Sequence, residues 1–227
     1  MTIVSEFRAG LSPLLNLVYP PRCPVCGVSV AEHGGLCLDC WNQLEWSPTS
    51  GAAADLSIQQ DPIIAACLYN DISRDLILQF KHGGKIGHAQ LMARMMAASL
   101  GEGVSEAPRA IVPVPLHRLR LWQRGYNQSA LLARELAKYG EGEPVIDGLI
   151  RTKRTPSLGG LSQEERKRAL SGAIAVSKSR AKAFAGKDIL LVDDVYTSGA
   201  TTSACVEALS KAGAKSVLIV CFARVAP

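Results

Sequence analysis

At 227 residues, 48% hydrophobic and 20% charged, the chain has the balance of a globular protein with one sizeable core and room for a small accessory module, which excludes disorder as its general state. No apolar run reaches the roughly 20 residues of a membrane span, and the opening MTIVSEFRAGLSPLLNLVYPP lacks a basic n-region and a small-residue cleavage pattern, so neither a signal peptide nor membrane insertion is expected and the location reads as cytoplasmic. The net charge of +5 is unevenly placed: residues 1–70 hold two basic side chains against six acidic ones, a balance of −4, and residues 71–227 hold +9, so anionic ligands belong to the second part.

Residues 1–20 begin with an apolar helix in which Phe7, Leu11, Leu14, Leu15 and Val18 recur at helical spacing up to Pro20-Pro21. Residues 21–46 carry Cys23-Pro-Val-Cys26 and Cys37-Leu-Asp-Cys40, ten residues apart. Four thiolates at this spacing can close a tetrahedral Zn²⁺ site, which for so short a module replaces the missing burial and has no open position for catalysis; the alternative is a redox pair. His33 is either a competing ligand or a hairpin residue, and Trp41 and Trp46 are expected to pack the module onto the next domain. The single cysteines Cys67, Cys205 and Cys221 lie in apolar stretches and read as small buried hydrophobes.

Residues 47–62, SPTSGAAADLSIQQDP, read as a linker. From residue 63 to 227 strands and helices alternate. IIAACLY is a strand, SRDLILQF a helix capped by Asp71 or Ser73, and GHAQLMARMMAASL a helix leading to the strand AIVPVP. A polar basic loop then precedes the helix NQSALLARELAKYG, and a long basic segment precedes the strand DILLVDDV, the helix TTSACVEALSKAG and the strand SVLIVCFA. The fold class is α/β, a parallel sheet covered by helices on both faces.

The strongest chemical signal is the run Ile189 to Thr201. An apolar strand ends in Asp193 and Asp194, and a short Thr/Ser/Gly loop then opens a helix, the place where open α/β sheets bind ligands. The loop Tyr196, Thr197, Ser198, Gly199, Ala200, Thr201 offers backbone N–H groups, hydroxyl donors and a glycine that allows close approach, a fit for a dianionic phosphate. The two acids would repel that phosphate, so they must face donors or a cation; the hydroxyls of a ribose with Mg²⁺ nearby meet that need. A solvated strand end with an ordinary cap leaves the adjacent acids unexplained. Neither G-x-x-x-x-G-K-[ST] nor G-x-G-x-x-G is present.

A second anion site is expected where Arg118, Arg120 and Arg124 follow the strand ending at Pro115, with Asn127, Gln128 and Ser129 opening the next helix. There the positive charge would grip a pyrophosphate leaving group; the alternative is a solvated basic loop. Phe80-Lys81-His82-Gly83-Gly84-Lys85 is a shorter basic turn that either adds Lys81 to this set or, through its glycines, simply ends one helix before the next. Residues 151–168 hold six basic side chains and two acids around Gly159-Gly160, either a mobile lid with Lys153, Arg154 and Arg166 as candidates or a solvated face.

The run Ile189 to Thr201 resembles the phosphoribosyl pyrophosphate motif of type I phosphoribosyltransferases, and FKHGGK together with RGYNQS resembles the ComF family, competence-associated phosphoribosyltransferase-like proteins with an N-terminal zinc module. The resemblance implies a type I phosphoribosyltransferase fold preceded by a zinc ribbon. It gives Asp193 and Asp194 the ribose 2- and 3-hydroxyls, and the loop from Tyr196 to Thr201 the 5-phosphate. This sequence departs from the family pattern at Leu158, where glutamine is usual, at Ala169 in place of asparagine and at Ile174 in place of an aromatic, and it has no second cysteine ribbon. Two functions are implied: Mg²⁺-dependent transfer from phosphoribosyl pyrophosphate to a nitrogenous acceptor, or a ligand-sensing scaffold in DNA uptake that binds single-stranded DNA or a DNA-processing partner. A homodimer fits either.

Overall fold

A computed structural model describes residues 19–48, 63–82, 84–101, 109–153, 165 and 172–226. The apolar helix expected before Pro20 lies outside the described residues, as do residues 49–62 and most of the expected lid. The ribbon contributes one short helix, α1 (Leu38–Asn42). The sequence then alternates as β1 (Ile63–Leu68), α2 (Asp71–His82), α3 (His88–Leu100), β2 (Ala110–Pro113), α4 (Arg118–Arg124), α5 (Gln128–Ala137) and β3 (Glu143–Pro144). A short hairpin, β4 (Leu149–Arg151) with β5 (Ile174–Val176), and a 3₁₀ turn at Lys178–Ala183 lead to β6 (Asp188–Tyr196), α6 (Ala200–Lys211) and β7 (Ser216–Arg224).

Five strands form one parallel sheet in the order β1-β7-β6-β2-β3. The chain leaves β2 outward to β3 and later returns to β6 on the other side of β2, so β2 and β6 flank the point where the winding reverses. Open α/β sheets bind ligands at such a point, outside the carboxyl ends of the strands. Period-two alternation sends Leu190 and Val192 of β6 to one face and Ile189 and Leu191 to the other. The first face is covered by Leu76, Phe80, Met92, Met96, Leu132 and Leu136 of α2, α3 and α5; the second by Cys205 and Leu209 of α6, Phe184 and the hairpin residues Leu149 and Ile174.

Local signals set the element ends. Asn70 caps α2: its Oδ1 accepts from Ser73 N at 3.1 Å while Asn70 N donates to Ser73 Oγ at 2.8 Å, a reciprocal box. The cap is therefore neither Asp71 nor Ser73, although Ser73 supplies the return bond. Asn127 caps α5 by accepting from Ser129 N at 3.1 Å. The expected basic loop at 118–124 is instead helical: His117 caps α4 through Leu119 N, and Gly125, at φ 81°, ends it in the left-handed conformation. The long basic segment expected before β6 begins within β4, which pairs with β5.

The ribbon is joined to the sheet by its backbone. Leu68 N donates to Glu45 O at 2.7 Å, Ser47 N donates to Ala66 O at 3.2 Å, and Trp46 bridges Cys67 antiparallel, which covers the outer edge of β1. Leu44 enters the core, with Val25 and Leu36 packed against it. Trp46 takes part in this joint through its backbone bridge, while its ring leans on that of Trp41, centroids 4.6 Å apart, and both side chains stay about 40% exposed. Cys67, Cys205 and Cys221 are fully buried, as their apolar neighbours imply.

Candidate functional site

β6 runs two residues past the acid pair, so Asp193 and Asp194 sit inside the strand, where Asp193 pairs with Cys221 and Val195 with Ala223. Alternation turns the two carboxylates apart. Asp194 follows Leu190 and Val192 toward α2; it is 6% exposed, and Lys81 Nζ lies 2.9 Å from its Oδ2. Asp193 Oδ1 accepts from Ser129 Oγ at 3.0 Å and from Asp194 N at 2.9 Å. Burial first, and the Asp194 charge second, push the Asp193 carboxyl up to about 7, against the opposing pull of the Asp194 N–H, Lys81 and Ser129.

The loop after β6 is shaped for an anion. Tyr196 closes the strand, its carbonyl accepting from Val225 N at 3.0 Å. Thr197 is exposed and Ser198 half-buried, and Gly199 adopts φ 73° with its α-carbon against the Tyr196 hydroxyl, where a Cβ would collide. Glycine is required there by conformation and by space. Gly199 precedes α6 without any side-chain cap, so the first amides of a twelve-residue helix, beginning at Ala200 and Thr201, lack a side-chain acceptor.

The basic residues divide. Lys81, His82, Gly84, Arg120, Gln123, Arg124 and Tyr126 line a cleft of about 410 Å³. Arg118 stands on α4 outside that lining, and no residue of α4 is buried. Tyr126 fixes the cleft by donating its hydroxyl to the carbonyl of Phe80, which ties the end of α2 to the start of α5. Asn127 Nδ2 donates to Val114 O at 3.0 Å, so RGYNQS also ties α5 to the end of β2. Of the lid candidates, Lys153 is exposed after β4, while Arg154 and Arg166 lie outside the described residues, with Leu158 and Ala169; Ile174 is buried in β5.

Sequence reasoning passed over two contributors. Ser129 holds Asp193, not only a helix start. Arg151, read as part of a lid, is half-buried at the end of β4; burial and the charge of Arg120 draw its guanidinium below its ordinary value, and the charge of Asp193 opposes them. The hairpin brings Arg151 within electrostatic reach of Asp193, and three-residue strands leave no periodic trace.

In the ribbon, the Sγ atoms of Cys23, Cys26, Cys37 and Cys40 all lie within 4.8 Å of one another, with Cys26 and Cys37 at 3.5 Å. Zn–S bonds of about 2.3 Å in a tetrahedron put sulfurs about 3.8 Å apart, so the donor set fits Zn²⁺. Burial raises the Cys23 thiol, but backbone hydrogen bonds from Cys26, Cys37 and Val25 outweigh it and hold the group at about 6, whereas burial and the neighbouring thiols push Cys40 up. His33 is not part of the cluster.

Comparison with known proteins adds the lineage. Residues 14–53 match the double zinc ribbon domain and residues 124–226 the phosphoribosyl transferase domain. The chain is 28% identical to competence protein F of Haemophilus influenzae over 218 residues, covering 87% of this chain and 94% of that protein. It is 29% identical to the DNA utilization protein YhgH of Escherichia coli over 213 residues (89% and 83%) and 26% identical to competence protein ComFC of Bacillus subtilis over 193 residues (84% and 72%). Over most of its length the chain is similar to these competence and DNA utilization proteins, the ComF group. Like the sequence motifs, the two domain matches join a zinc ribbon to a phosphoribosyltransferase domain; within the double-ribbon match this chain has a single set of four cysteines. Among the described residues no helix is long and apolar enough to cross a membrane.

Proposed function

We propose that this chain binds phosphoribosyl pyrophosphate and transfers its phosphoribosyl group to a nitrogenous acceptor. The observation that carries the reading is one juxtaposition. An acid pair at the end of β6 has the uncapped start of α6 on one side and, through Lys81, the cationic cleft on the other. The 5-phosphate takes the amides and hydroxyls from Tyr196 to Thr201, the ribose hydroxyls donate to Asp193 and Asp194, and the diphosphate lies toward Lys81, Arg120 and Arg124, with Arg118 nearer the rim. As the bond from C1 to the diphosphate oxygen breaks, charge builds on the leaving group next to these cations, and the sugar centre becomes oxocarbenium-like. The acceptor nitrogen forms the new bond to C1 and gives its proton to solvent. Magnesium enters only as the counter-ion a diphosphate carries in solution. The acid pair does not present both carboxylates to one Mg²⁺, because strand alternation turns them apart, with Asp194 Oδ2 facing Lys81 and Asp193 Oδ1 taking Ser129 Oγ and Asp194 N. The test is pyrophosphate release from phosphoribosyl pyrophosphate across a panel of nitrogenous bases and amines. Release that depends on one acceptor and disappears in Asp193→Asn/Asp194→Asn supports transfer; tight binding with no release from any acceptor leaves a ligand sensor.

A second reading, single-stranded DNA binding, is favoured by α4. Trp122 is 84% exposed on a helix carrying Arg118, Arg120 and Arg124 and no acid. An exposed indole among arginines stacks on unpaired bases while the guanidiniums meet phosphates. The names of the competence and DNA utilization relatives agree with that use. Fluorescence anisotropy of a labelled oligothymidine should then show affinity that falls steeply with salt and drops in Trp122→Ala; no binding at low salt removes this reading.

A further inference from the structure

We infer that Lys81 is the built-in counter-ion of the acid pair and makes sugar-phosphate binding at this site independent of a divalent cation. The inference rests on the sugar-phosphate reading above and concerns how that ligand is held.

The end of α2 is unusually well fixed for the root of a lysine. Phe80 is fully buried, and its carbonyl receives the Tyr126 hydroxyl. From that anchor Lys81, 24% exposed along its side chain, places Nζ 2.9 Å from Asp194 Oδ2. A carboxylate buried as deeply as Asp194 is costly unless paired. A Mg²⁺ shared between the two acids would have to evict Lys81 from this position and shed water that it holds strongly.

Lys81 also borders the cleft lined by Arg120 and Arg124. One ammonium therefore faces both the acid pair and the space where a diphosphate lies. The positive charge that a divalent ion would bring is already on the chain, in Lys81 and the two arginines, next to both anionic parts. Lys81 is accordingly a positioning residue: it sets Asp194 to accept from ribose hydroxyls and spans the two subsites.

The experiment is isothermal titration of phosphoribosyl pyrophosphate, and separately of ribose 5-phosphate, into the zinc-loaded full chain. The buffer is stripped of divalent ions with a chelating resin, because a soluble chelator would attack the four cysteines, and the titration is repeated with added Mg²⁺. Wild type and Lys81→Arg are expected to change affinity by less than about threefold on adding Mg²⁺, whereas Lys81→Gln gains about tenfold or more. A purely structural role for Lys81 would lower both affinities of Lys81→Gln in proportion and leave the ratio near that of wild type, which overturns the inference. Wild type that binds only with Mg²⁺ overturns it too, while the sugar-phosphate reading stands. Absence of binding in every condition removes both.

Discussion

Asp193 is the residue whose chemistry the strand alters most. Its carboxyl is raised to about 7, by burial and then by the neighbouring Asp194, against about 4 in an unfolded chain. Between those values the folded state holds a proton that the unfolded state has lost, so this group's contribution to stability falls as pH rises from about 4 to about 7 and is flat beyond. Asp193→Asn keeps an oxygen for Ser129 Oγ and removes the titration. The variant should melt above wild type at pH 8, by about 2–4 °C for each kcal/mol relieved in a chain of this size, and the gap should close toward pH 4. A gap independent of pH, measured by calorimetry across that range, would assign the effect to packing instead. Gly199 is constrained by geometry rather than charge: Gly199→Ala must shed a positive φ and push against the Tyr196 ring, so phosphate affinity should fall at least tenfold in a titration of ribose 5-phosphate.

Among the elements, the join between α2 and α5 matters most to the site. Tyr126→Phe removes the bond to Phe80 O while keeping the ring that packs near Phe80, centroids 6.2 Å apart. A loss of about 1 kcal/mol in stability is expected, read as a shift of about 2–4 °C in melting temperature. The longer elements were legible because each carries its own period: β6 and β7 as continuous apolar runs, α3 and α5 as helical ones. β3, β4, β5 and α4 were not. The three strands hold only two or three residues each, and α4 buries none of its seven, so no apolar stripe marks it. The phosphate loop was readable because its residues are consecutive. The partners of its acids were harder to find, because Lys81 and Ser129 come from two other elements and meet Asp194 and Asp193 only through the sheet order.

At the scale of the whole molecule, ribbon and sheet form one continuous structure. Leu44 in the core and the backbone bonds to the Glu45 carbonyl and from the Ser47 N–H carry the zinc module onto β1, a contact that no cysteine spacing could reveal. Zinc removal should therefore lower the main unfolding transition as well as free the ribbon. Cys23→Ser should lose the metal and destabilise the chain, whereas Cys67→Ala should keep one zinc per chain, checked by metal analysis beside calorimetry.

The central claim is that the end of β6 holds a phosphoribosyl group between an anion cradle and a cationic cleft. It is tested most directly by calorimetric titration of phosphoribosyl pyrophosphate into the zinc-loaded wild type and into Asp193→Asn/Asp194→Asn. Micromolar binding by the wild type that is lost in the variant is the predicted result. A folded wild type that takes up no ligand, or a variant that binds as tightly as the wild type, would contradict it.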